Sequence, residues 1–232
     1  MIFGLFRFDW TILLVLPAMF FGIWAQMKVQ STYKKYSSYP TRRGMTGAQA
    51  ARRILDQNGL SHVRIEHIRG NLNDHFDPRE NVIRLSDAVH DSKSAAAIGV
   101  ASHEAGHAVQ HATGYAPIKI RAAIVPVTQF GSMLAIPLFF IGLLMASDYL
   151  MLAGIVLYAL IALFQLVTLP VEFNASSRAM KVIRSSGMLT QDECSAAREV
   201  LTAAALTYVA ALVTSLMTLL RLVILAGGRR RD

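Results

Sequence analysis

The chain has 232 residues, 53% of them apolar and only 16% charged, with a mean hydropathy of +0.40. A typical soluble domain is about 25% charged, so this balance points to a membrane protein. The lone Cys194 excludes an internal disulfide and a cysteine-rich zinc finger. The net charge of +8 comes without interleaved aromatic and basic residues, which argues against nucleic acid as a partner.

The first uncharged stretch is Trp10–Met27. It is short for a span of about 20 residues, so it is expected to extend toward Phe3 or to snorkel through Arg7 and Lys28. A signal peptide is the other reading, but no small-residue cleavage site follows it. Residues 1–30 are read as a transmembrane anchor. Residues 31–121 form a polar region. In it, a stretch from Thr46 or Gly47 to Asn58 is expected as an amphipathic helix stopped by Gly59. Val63–Ile68 alternates apolar and polar as a half-buried strand does. Asn71–Arg79 is rich in turn formers, with Asp77-Pro78 as an Asx-Pro turn. Asn81–Leu85 is a second short strand, to be paired with the first. Ser92 or Ser94 is expected to cap a helix reaching Ala112 and ended by Gly114. Ala122–Ser147 and Tyr149–Val171 follow as a transmembrane hairpin, with Pro126 and Pro137 kinking its first arm. Residues 172–199 are a polar helical segment that holds Cys194, read as a surface or packing residue. Residues 200–232 are a last span, Val200–Leu220, with a basic tail at Arg229–Arg231.

The expected fold is therefore mainly α: about four transmembrane helices and a small α+β catalytic region of zincin type. Lys34, Lys35, Arg42 and Arg43 lie next to the first span. The positive-inside rule then puts residues 28–121 in the cytoplasm. Two crossings later, residues 172–199 lie on the same side. The arginines at the end do not fit this topology, so the orientation of the last segment stays open.

One motif carries chemistry. His103-Glu104-Ala105-Gly106-His107 is an H-E-x-x-H sequence. Residues four apart share a helix face, so both imidazoles can meet one zinc ion, with Glu104 beside it as general base. Two unrelated histidines on a buried helix are the bland alternative. Gly106, a poor helix former, would let a second helix or the substrate come close. A catalytic zinc needs a third protein ligand. His111 has the spacing but stands about 12 Å from His103 along a helix, too far to share one ion. Glu172 is the better candidate. An acid at the membrane boundary is costly without a partner, and an even number of crossings puts it on the side of His107. An interfacial Glu paired with Arg178 or solvated is the alternative. Asp74 and His75, in Asn73–Arg79, are candidates to orient a ligand or stabilise an oxyanion. Tyr115 and Tyr208 are weaker donor candidates.

Asp74–Arg79, Ala101–Gln110, Thr168–Ala179 and Ala204–Ala210 together resemble the YugP-type neutral zinc metallopeptidases of bacterial membranes, over nearly the whole chain. The resemblance implies a bacterial plasma-membrane location, peptidase activity with one catalytic zinc, and Glu172, after Leu-Pro-Val, as a ligand. A looser similarity is to HtpX-like gluzincins. There the ligand Glu is followed by Ala at the third position and Asp at the fourth. Ala175 fits, and Ser176 replaces the Asp. Support of the zinc-binding histidines must then fall to Ser176, Asn174 or another acid such as Asp74. A polypeptide, with membrane proteins among the candidates, is the expected substrate, and the bilayer a partner. The substrate chain is expected to add as a strand beside Val63–Ile68 or Val82–Leu85. The rivals are a zinc-binding membrane scaffold or regulator, which has no use for Glu104, and a metal transporter, which would need acids or histidines inside the spans. The oligomeric state is not legible.

Overall fold

The computed structural model describes residues 10–229. Within them the elements run α1 (Ile12–Ser37), α2 (Gly47–Gln57), β1 (Arg64–Ile68), β2 (His75–Asp77), β3 (Val82–Ser86), α3 (Ala95–Ala112), α4 (Ala116–Leu144), α5 (Asp148–Ser185) and α6 (Gln191–Arg229). The protein is mainly helical with one small sheet. Among the described residues, four helices, α1, α4, α5 and α6, are long and apolar enough to cross a membrane. They expose large apolar side chains such as Phe20, Phe130, Met133 and Leu166, as helices with a lipid-facing surface do. The expected extension of the first span to Phe3 and Arg7 lies outside the described residues, and so do Arg230 and Arg231.

The chain divides into two compact units. One takes in the described residues up to Trp24, Ala123–Val167 and the described residues from Tyr208 onward. Its core closes on Phe139, Met151 and Leu222. Prolines 126 and 137 both lie inside α4, which continues through them. The hairpin turns at Ala146, whose φ is 60°.

The other unit holds Ala25–Ala122 and Thr168–Thr207. Here α2 begins with a capping box: Gln49 N donates to Thr46 Oγ1 (3.2 Å) and Thr46 N donates to Gln49 Oε1 (3.0 Å). Its Ala50, Ile54 and Leu55 face the core. The sheet has the order β1-β3-β2. β1 pairs with β3 in parallel, Arg64 opposite Val82, and β2 pairs with β3 antiparallel, Phe76 opposite Ile83. The stretch read as turns thus contains a third strand. Because β3 is paired on both sides, no substrate strand can add beside Val82–Leu85; the edges of this sheet belong to β1 and β2. The central strand is accordingly apolar, with Val82, Ile83 and Leu85 fully buried.

Ser94 caps α3, accepting the Ala97 N–H at 3.2 Å. The helix ends at Thr113, and Gly114 follows at a φ of 65°, a left-handed conformation that glycine adopts without strain. The core of this unit joins Ile54, Leu55, Ile83, Leu85, Ile98, Ile183 and Met188, with Cys194 among them. Each fully buried Ile or Leu contributes about 1.5–3 kcal/mol. Residues 172–199 comprise the uninterrupted continuation of α5 to Ser185, a turn, and the start of α6. That continuity holds Glu172 rigidly on a helix.

Candidate metal centre

His103 and His107 lie one turn apart on α3, their rings nearly perpendicular with centroids 4.6 Å apart. α5 brings Glu172 to them. Glu172 Oε2 is 3.2 Å from His103 Nε2 and 3.5 Å from His107 Nε2. One potential ligand atom from each residue lies within 4.8 Å of the other two. The helices can approach this closely because residue 106 is glycine. A Cβ there would stand 2.6 Å from the Ala175 carbonyl oxygen, well inside contact distance.

The far nitrogens of both rings have partners. His103 Nδ1 is 3.0 Å from Ser176 Oγ, and His107 Nδ1 is 3.0 Å from Gln110 Oε1. The Gln110 amide is not free to flip. Its Nε2 donates to Val171 O (2.8 Å) and to Asn174 Oδ1 (3.0 Å), so its oxygen must face His107. His107 Nδ1 therefore carries a proton, and Nε2, the nitrogen facing Glu172, is the one left to offer a lone pair to a metal. Two nitrogens and a carboxylate oxygen aimed at one small volume fit a zinc ion well: the donor types, the count and the orienting partners all agree. Arg121, from the start of α4, donates Nη1 to Glu172 Oε1 at 3.1 Å. This engages one carboxylate oxygen and leaves the other facing the histidines.

Glu104, 9% exposed, accepts the Phe76 backbone N–H at its Oε2 (3.1 Å). Burial pushes its carboxyl above the usual range, against the pull of His103 and His107, and the charges of Glu172 and Asp74 add to the rise. Burial by itself would lower His107, but hydrogen bonding to Glu172 and the charge of Glu104 outweigh it and raise the group. The centre thus favours holding a proton between its acids and its imidazoles.

The other candidate residues divide. Ser176 meets His103 directly. Asn174 supports Gln110 and itself accepts Arg178 Nε (2.7 Å), so Asn174 and Arg178 act at one and two steps' remove. Asp74 accepts the Ser86 N–H (2.7 Å) and hydroxyl (3.1 Å), and reaches Glu104 through charge alone. His75 is exposed and pairs with Asn73 O. His111 packs edge-on against Phe76, centroids 6.0 Å apart, and takes no part in the centre. Gln110, Arg121 and the Phe76 N–H were not anticipated. Gln110 sits three residues beyond His107, on the same helix face, so a helical wheel contains that signal. Arg121 is the last cation before an apolar stretch, but nothing local ties it to Glu172.

A second group, His67, His90 and Asp91, also clusters. Its imidazoles are stacked at 4.7 Å with planes 13° apart. A metal lies in the plane of each imidazole it binds, and no nearby point lies in both planes, so this arrangement does not hold one ion between them.

A membrane-type chain with this helix-borne donor set has clear relatives. The family described as "Putative neutral zinc metallopeptidase" matches residues 11–227, and the chain belongs to that family. It is similar to the "Putative membrane protease YugP" of Bacillus subtilis (strain 168), at 49% identity over 219 residues, which cover 94% of this chain and 97% of that protein. No solved structure matches the chain.

Proposed function

We propose that this protein is a membrane-embedded zinc peptidase that hydrolyses polypeptide bonds, with His103, His107 and Glu172 holding the metal and Glu104 acting as general base. The observation that carries the proposal is the convergence of the two Nε2 atoms on Glu172 Oε2, with Glu104 on the same turn of α3. When bound, zinc supplies Lewis acidity, polarising a peptide carbonyl and acidifying water.

The chain's own groups do the rest. Gln110 and Ser176 keep the lone pairs of His107 and His103 directed inward. Arg121 holds one oxygen of Glu172 away from the metal position. The Phe76 N–H anchors one oxygen of Glu104, so the carboxylate takes the proton of the attacking water from a fixed position. Its raised proton affinity suits the return of that proton to the leaving amine. The outer edge of β2, next to Glu104, replaces β3 as the place where a substrate strand would add. Membrane or membrane-proximal proteins are the substrates this location favours.

The site is proposed to face the cytoplasm, from the basic residues flanking α1. A cysteine introduced at the exposed Ser61 tests this. An impermeant maleimide should label it in inverted vesicles and not in intact cells; the reverse result contradicts the orientation. The peptidase reading is tested by zinc content and cleavage of a membrane-protein panel by wild type, His107→Ala and Glu172→Ala. Wild type should hold about one zinc and cleave, and both variants should lose metal and activity together. Wild type that holds zinc and cleaves nothing points instead to a zinc-binding scaffold.

A further inference from the structure

Beyond the metal centre, α5 and α6 border a groove of about 840 Å³, toward the upper end of ligand-site volumes. Phe173 and Leu201 give it an apolar stretch, and Lys181, Arg184 and Arg198 line it as well. Among the described residues, no carboxylate lies within ion-pair distance of any of these three cations. Three unpaired cations along one groove attract an anion. Ser176 also lines the groove, and its hydroxyl meets His103 at Nδ1. The groove therefore opens behind the metal centre, on the side opposite the Nε2 atoms, and does not coincide with the scissile-bond position.

Two occupants have the right chemistry, an anionic lipid headgroup and an acidic stretch of polypeptide. The position along α5 separates them. The apolar run ends at Val171. Lys181 and Arg184 lie 10 and 13 residues further on the same helix, about 15 and 20 Å at 1.5 Å per residue. The headgroup layer adds only about 5–7 Å beyond the hydrocarbon. Lipid phosphates fall short of Lys181 and Arg184, two of the three cations.

We propose that this groove is an exosite that binds an acidic, partly apolar segment of the polypeptide substrate, away from the bond that is cut. The proposal rests on the peptidase reading and adds a substrate class to it: proteins with Asp- or Glu-rich stretches that also carry apolar residues to cover the exposed Phe173.

The test measures binding without turnover, on the full zinc-loaded chain carrying Glu104→Gln in an uncharged detergent. The probe is a fluorescein-labelled peptide of alternating Glu and Leu, with the same peptide carrying Gln for Glu as control. The Glu peptide should bind, salt should weaken it, and Lys181→Gln/Arg184→Gln/Arg198→Gln should weaken it roughly tenfold, as expected for three exposed ion pairs. Zinc content guards against misfolding of that variant. Lys181→Glu/Arg184→Glu/Arg198→Glu should switch preference to a Lys–Leu peptide. Equal binding of the Glu and Gln peptides, or wild-type affinity in the triple variant, overturns the proposal. So does failure of the peptide to bind where phosphatidylglycerol binds and the triple variant loses it, which makes the groove a lipid site. Binding of the Glu peptide by a wild-type protein that cleaves nothing would sink the peptidase reading and leave the groove standing as a docking site.

Discussion

Gly106 lies directly against Ala175: a Cβ on residue 106 would meet the Ala175 carbonyl oxygen at 2.6 Å. That contact sets how near α5 comes to the helix bearing His103 and His107, and so where Glu172 sits. The obstacle is backbone and cannot swing aside. Gly106→Ala should push the helices apart, cost about 1–3 kcal/mol of stability and weaken zinc binding. Metal titration and thermal unfolding of the variant check both; unchanged zinc affinity would mean that the helix spacing does not set the centre.

Gln110 is the residue whose loss should separate metal affinity from folding. With Gln110→Ala, His107 Nδ1 loses its acceptor and the carbonyl of Val171 loses its donor. Zinc affinity should fall about 10- to 100-fold, as for other outer partners of metal-binding histidines. Ser176→Ala should act the same way through His103. Competition with a chelator of known affinity measures each.

The Phe76 N–H is predicted to matter more than the Phe76 ring. Phe76→Pro removes the ring and, because proline has no N–H, the outward donor to Glu104 as well, and proline is tolerated on an edge strand. Phe76→Ala keeps that donor and removes the ring. The proline variant should retain zinc yet turn over more slowly than the alanine variant. Equal turnover numbers for the two would show that this hydrogen bond does not position Glu104.

Much of this was legible because it is local. The spacing of His103, Glu104 and His107 is one helical turn, and caps such as Thr46 and Ser94 stand next to the helices they start. β2 was not legible. It is three residues long, is followed by Pro78, and exists only because β3 pairs with it. The direction of β1 beside β3 was equally hidden, since parallel pairing depends on β2 lying on the far side of β3 and turning the chain back before β3 begins. Arg121 reached Glu172 across 51 positions, a contact no periodicity encodes.

Asp77 links that hidden strand to acid stability. The Arg79 N–H donates to its Oδ1 at 2.8 Å, and Arg84 Nη1 lies 3.1 Å from its Oδ2. The Arg79 hydrogen bond first, and then Arg84, hold the carboxyl below the usual range. A group whose folded pKa lies below its unfolded value, about 3.9 for Asp, stabilises the fold above that value and loses the contribution as pH falls through the folded pKa. Asp77→Asn keeps an acceptor for Arg79 and loses the charge facing Arg84. Its unfolding temperature should therefore be lower than wild type near neutral pH, with the gap closing below about pH 4. A gap that stays constant with pH would contradict the assignment.

The central claim, that Glu104 moves the proton in a zinc-dependent hydrolysis, meets its most direct test in zinc content and peptide cleavage measured side by side on wild type and Glu104→Gln. Both proteins should hold about one zinc per chain, wild type should cleave, and the variant should lose at least about 100-fold in turnover. Cleavage by Glu104→Gln at the wild-type rate, with zinc retained, would contradict the claim.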